Sequence, residues 1–212
     1  WKFSTFAGIT NSFGSINDVY NGFILLSAKN LSSRNTDIQQ TRSNFVGSRL
    51  EYRNPLNNIF FNVSYNFNDR TNNVTFLNEL DEASQQFIIK GYNLENNSKT
   101  NSARTELGKY FPKFKTNASV GYNYSLNNYQ QLPANSTPTE SSFIDVEGVN
   151  QGVSVKFNNN YFSWLSVDYN ANWNFNNKKS PDDARFNNKT NLFNHALSAY
   201  VYPFKNHTLG FT

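Results

Sequence analysis

Between Val153 and Phe175 the chain alternates apolar and polar residues for longer than a soluble sheet needs. Ser163, Leu165, Val167, Tyr169, Ala171, Trp173 and Phe175 fall on one face, with Ser166, Asp168, Asn170, Asn172 and Asn174 on the other. A period of two is that of a β-strand, whose successive side chains point to opposite sides. Strands of soluble sheets run to about 5 or 6 residues, and this alternation lasts more than twice as long. An apolar face with aromatics at both ends, opposite a face of amides, describes a strand with lipid on one side and water on the other.

Composition supports that reading. At 37% hydrophobic residues and a mean hydropathy of -0.66, no window approaches the roughly 18 unbroken apolar residues of a transmembrane helix. A membrane β-barrel escapes such a scan, because its inward face and its loops are polar. Aromatic residues make up 17% of the chain and charged residues only 16%, against about 25% charged in soluble domains. Cysteine is absent, which excludes disulfides, thiolate nucleophiles and cysteine-ligated metals. Methionine is absent too, and no signal segment opens the sequence, so a mature form or a fragment is expected. The net charge of +4 comes from 19 scattered Lys and Arg, without the basic stripe that nucleic-acid binding favours. No nucleic-acid partner is expected.

In chain order, Trp1 to Thr10 reads as a first strand and Asn11 to Ile38 as a long loop. Within that loop the apolar patch Gly22 to Leu26 fits either a short strand or a helical turn. Alternation resumes near Gln39 and stops at the turn Asn54-Pro55-Leu56-Asn57. Ile59, Phe61, Val63, Tyr65 and Phe67 then share a face. A polar excursion follows from Asn68 to Asn97, in which Gln86 to Tyr92 suggests a hairpin standing above the sheet. Strands are expected at Ala103 to Phe111, after the turn at Pro112-Lys113 from Thr116 to Leu126, and at Val149 to Phe157. A turn is expected at Asn158 to Asn160, and the Val153 to Phe175 hairpin is closed there. Asn127 to Ser142 and Asn176 to Asn188 read as polar loops. The last expected elements are a strand at Leu197 to Val201, a turn at Pro203 to Asn206 and a strand at Leu209 to Phe211.

Short turns thus alternate with long loops, the signature of a barrel with periplasmic turns and extracellular loops. Tyr52, Phe60, Phe61, Tyr110, Phe111, Phe114, Phe157, Tyr161, Tyr202 and Phe204 lie near the short turns, where an interfacial aromatic girdle belongs. The fold expected is all-β: an antiparallel transmembrane β-barrel segment of about nine strands. Single-chain bacterial barrels close with an even number of strands, and an open edge in lipid is costly. The strands missing from a closed barrel are therefore expected in a longer polypeptide or in another chain.

Three segments carry a family resemblance: Arg49-Leu50-Glu51-Tyr52-Arg53-Asn54-Pro55-Leu56, Leu107-Gly108-Lys109-Tyr110-Phe111 and Ala118-Ser119-Val120-Gly121-Tyr122-Asn123-Tyr124-Ser125. The chain resembles the barrel portion of TonB-dependent outer-membrane receptors of the Asn- and Tyr-rich, SusC-like kind. The resemblance implies a roughly 22-stranded plugged barrel in the Gram-negative outer membrane. It also implies import of glycans, peptides or metal chelates, with TonB and a surface lipoprotein as partners. No plug domain or TonB-box region is recognisable in the sequence.

Chemical constellations are few. Arg49, Glu51, Arg104, Glu106, Lys156, Asp168, Asn170 and Asn172 fall on the polar parity and are the lumen-facing candidates. They are expected to pair across strands, meet a plug or line a solute path. His195 and His207 lie near the last short turn without a third ligand, so no metal site is expected. Asp81 with Glu82, and Asp182 with Asp183, suit loop calcium by their oxygen ligands but read first as solvated charges. Neither a nucleophile elbow nor a phosphate-binding glycine motif appears, so an enzyme is not expected, nor any cofactor. The leading expectation is a transporter barrel handling a polar solute. The alternatives are a structural or secretion-associated barrel that binds partner proteins, and a soluble β-sheet carbohydrate-binding module.

Overall fold

A computed structural model describes residues 1–20, 22–27, 30–33, 35–81, 86–133, 138–139, 142–204 and 207–211. Its elements are β1 (Lys2–Phe13), β2 (Ile24–Ser27), β3 (Asn30–Ser33), β4 (Gln40–Asn54), β5 (Ile59–Asn72), β6 (Thr75–Asp81), β7 (Gln86–Tyr92), β8 (Asn96–Phe111), β9 (Thr116–Gln131), β10 (Ile144–Phe162), β11 (Leu165–Lys179), β12 (Asn188–Val201) and β13 (Leu209–Phe211). The chain is all-β, with no α-helix among the described residues.

Nine strands form one open sheet in the order β1-β4-β5-β8-β9-β10-β11-β12-β13. Every neighbouring pair in it is antiparallel. The register keeps like residues on one face across the sheet. Phe3, Leu50, Val63, Thr105, Tyr122, Val153, Trp173 and Phe193 stand in one row from β1 to β12. Beside it runs Tyr52, Phe61, Leu107, Val120, Val155, Ala171 and His195. A slip of one residue anywhere would send a strand's apolar set to the other side, so this register is fixed by the pattern itself.

This apolar face is bare. Leu107 is 54% exposed, Val120 52% and Leu197 57%. The buried hydrophobic residues are instead Val74, Leu77, Leu132, Ile144 and Val146, all at the end of the sheet away from the short turns. Among the described residues, the large sheet therefore buries apolar side chains only at that end, at Ile144 and Val146 of β10.

The connections follow the expected short and long alternation. At the first short turn Asn54 Oδ1 accepts from Leu56 N at 3.0 Å and Asn57 N at 3.3 Å, and Asn58 takes a left-handed φ of 53°, as asparagine tolerates. The second is a short helical turn at Pro112–Phe114 closed by left-handed Lys115.

At the opposite end, two long connections build a second sheet in the order β2-β3-β7-β6. The run at Gln86 to Tyr92, expected as a hairpin, is the single strand β7 and forms its hairpin with β6, and the patch at Gly22 to Leu26 contains the start of strand β2. The link between the two loops is parallel, with Leu31 opposite Ile88 and Ser33 opposite Lys90.

Four expectations are corrected. Asn158 to Asn160 is not a turn: β10 runs on to Phe162, and the reversal falls at Ser163 and Trp164. The three asparagines are held as strand links. Asn159 Nδ2 donates to Thr116 Oγ1 at 2.6 Å and Phe114 O at 3.0 Å, and Asn160 N donates to Lys115 O at 3.1 Å. Ser163 consequently lies in that turn rather than on the strand's apolar face. The polar loops are shorter than expected, because β5 extends to Asn72, β8 begins at Asn96, β9 reaches Gln131, β10 starts at Ile144 and β11 runs to Lys179. Finally, Phe60 and Tyr110 fall on the polar parity of β5 and β8, so they do not join an outward girdle, and Phe157 lies well inside β10.

Candidate functional site

Opposite the apolar face, the alternate residues of the same strands make a continuous polar surface. One row is Lys2, Glu51, Asn62, Glu106, Gly121, Ser154, Asn172 and Asn194, and the next is Ser4, Arg49, Ser64, Arg104, Asn123, Gly152 and Asn174. The eight residues singled out from the sequence all lie on this face.

They fall into two groups. Arg49, Arg104 and Glu106 line a depression of about 460 Å³ together with Asn62 and Ser64. Arg49 Nη2 meets Glu51 Oε1 at 2.8 Å, with the arginine side chain 55% and the glutamate side chain 19% exposed. Such a wet pair contributes at most about 1 kcal/mol. Lys156, Asp168 and Asn170 line a second depression, of about 430 Å³, with Asn158 and Ser198. There Asn158 Nδ2 donates to Asp168 Oδ1. Asn172 stands between Ser154 and Asn194, in the Glu106 row but three strands away.

Sequence reasoning missed Asn62 and Ser64. Each lies between two charged residues, Asn62 between Glu51 and Glu106, and Ser64 between Arg49 and Arg104. The signal was the equal spacing of the Arg-x-Glu pairs on β4 and β8, which is legible only once β5 is known to separate them. Asn62 Oδ1 is shut off from solvent with no hydrogen-bond partner.

The other candidates settle into structure. Asp183 Oδ1 accepts from Arg185 N at 3.0 Å, and its Oδ2 meets Arg185 Nη2 at 2.6 Å. The Arg185 side chain, and after it the Arg185 backbone N–H, hold the Asp183 carboxyl below its ordinary value of 3.8. Asp182 Oδ2 accepts from Asp145 N at 3.1 Å. Both carboxylates thus shape the β11–β12 loop. Of the Asp81 and Glu82 pair, Asp81 ends β6 and Glu82 lies outside the described residues. His195 sits on the apolar face, stacked on Phe193 with centroids 5.5 Å apart. His207 lies beyond β12, edge-on to Phe204. The two histidines do not face each other, since Val201 is paired with Leu209. Among the described residues, no three His, Asp or Glu side chains converge as a metal site.

In the small sheet, Glu79 accepts from Lys90 Nζ at 2.5 Å and from the Tyr92 hydroxyl at 3.1 Å. Partial burial, then the Glu79 hydrogen bond, raise the Tyr92 phenol above 10.0. No helix among the described residues is long and apolar enough to cross a membrane.

No protein-family model matches the chain, and no curated protein matches it significantly.

Proposed function

We propose that this chain forms part of the wall of an outer-membrane β-barrel, of the TonB-dependent receptor type, that imports a polar solute. The observation that carries the reading is the two-sidedness of the nine-stranded sheet: an exposed apolar face across every long strand, backed by a face of amides and charges. In water that apolar face would be a large aggregation-prone surface; against lipid it is matched to its surroundings. The long strands of 12 to 19 residues exceed the roughly 9 to 11 needed to cross a bilayer, which leaves their outer ends to carry the small sheet clear of the membrane. In lipid the edges at β1 and β13 require further strands, of the same or another chain. Arg49, Glu51, Arg104, Glu106, Lys156, Asp168, Asn170 and Asn172 then face the lumen, where a plug or a passing solute meets them.

Because the chain has no cysteine, single cysteines carrying nitroxide labels test this directly. Labels at Val120 and Val155 in vesicles should be reached by oxygen, and labels at Ser154 and Asn170 by a water-soluble nickel chelate. Equal accessibility, or release of the protein by alkaline carbonate, overturns the membrane reading. Uptake of polar solutes that stops when the proton-motive force is collapsed tests the import reading. Unchanged uptake in cells lacking the gene overturns it.

A further inference from the structure

The depression lined by Arg104 and Glu106 holds two opposite charges that the fold does not neutralise. They stand two residues apart on one face of β8. The same residue types at the same spacing on β4, Arg49 and Glu51, close on each other at 2.8 Å. The spacing therefore permits an ion pair, yet among the described residues Arg104 and Glu106 make none. On β5, Ser64 lies opposite Arg104 and Asn62 opposite Glu106, and Asn62 Oδ1 is enclosed without a donor. One end of the depression lacks an anion, and the other lacks a cation that donates hydrogen bonds.

We propose that this depression binds a short zwitterion, an amino acid or a dipeptide, with its carboxylate on Arg104 and its ammonium on Glu106. Two strand residues are about 6.7 Å apart, and an extended dipeptide spans about 7 Å, so the two ends match. The volume of about 460 Å³ lies within the usual range of small-molecule sites, about 300 to 1,000 Å³. A neutral glycan supplies neither charge. An anionic chelate leaves Glu106 unanswered. An arginine fork suits a carboxylate by its paired donors, and the three donors of an ammonium suit the acceptor-only Glu106 carboxylate. The proposal deepens the import reading and rests on it for the solute's route, while binding itself is independent of that route.

The probe is dialanine, titrated calorimetrically into the whole detergent-purified protein and compared with N-acetyl-dialanine and dialanine amide, each lacking one charge. Dialanine should bind, and each capped analogue should bind at least about tenfold more weakly, the loss of one charge-assisted hydrogen bond. Arg104→Gln should erase the preference for a free carboxylate but keep that for a free amine, and Glu106→Gln the reverse. Absence of dialanine binding, or equal binding of the capped peptides, overturns the site even where the nitroxide labels confirm the lipid face. Charge-dependent binding by a protein whose labels show no lipid face upholds the site and removes the import reading.

Discussion

Phe60 lies over Gly108, its cross-strand partner, so closely that a Cβ at 108 would stand 1.9 Å from the ring's Cζ. The arrangement recurs on the same face, with Phe6 over Gly47 and Phe45 over Gly8. Each glycine makes room for an aromatic that would otherwise stand up from the polar surface. Gly108→Val should displace Phe60 and destabilise the sheet by about 1 to 3 kcal/mol, as overpacking does. Combining it with Phe60→Ala should cost less than the sum of the two single changes, since the clash goes with the ring. Urea unfolding of the vesicle-embedded protein measures the cycle.

The two faces should respond oppositely to charge. Val155 lies mid-strand on the apolar face, between Val120 and Ala171, so Val155→Arg should cost about 2 to 4 kcal/mol in a bilayer. Asn170→Arg, on the other face, should cost much less. Val167, only two residues past the start of β11, should show a smaller penalty than Val155, because the cost falls toward the interface. Equal costs at Val155 and Asn170 in refolding titrations would reject the assignment of faces.

The junction between the sheets rests on a relay of amides. Thr41 Oγ1 donates to Asn72 Oδ1 at 2.8 Å, Asn72 Nδ2 to Asn96 Oδ1 at 2.8 Å, and Asn96 Nδ2 to Thr75 Oγ1 at 2.6 Å and Val74 O at 3.1 Å. Asn96→Ala removes the middle member and leaves partly buried groups unmatched, for a loss of about 1 to 3 kcal/mol. Amide exchange should quicken across β6 and β7 while the centres of β9 and β10 keep their protection.

The Asp183–Arg185 clip has a defined acid limit. Its carboxyl is depressed when folded, so the clip's contribution is fully present above the unfolded carboxylate pKa and is lost as pH falls through the lower, folded value. Carbon-detected NMR should place the Asp183 midpoint below 3.8. Arg185→Gln should move it back up toward that value.

The face of every long strand was legible from residue parity alone, and so were the eight polar-face candidates, because period two survives wherever one side is apolar. The strand ends were not legible. Beyond the apolar belt, at Asn68 to Asn72, Asn127 to Gln131 and Asn176 to Lys179, both faces carry polar residues, and the pairing continues through backbone hydrogen bonds that leave no mark on hydropathy. Asn158 to Asn160 misled for a related reason: asparagine favours turns, but its amide also links strands. Asn62 was hidden because its importance lies in its neighbours across strands, and local sequence does not show them.

The parallel pairing of β3 with β7 binds the loop after β1 to the loop after β5. These two segments cannot diverge independently. Shortening either one would strip the other of a partner and leave its strand edge bare, so insertions, deletions and recombination in one should be accompanied by change in the other. Moving the surface that these two segments form onto another protein would require both to travel together as a single cassette.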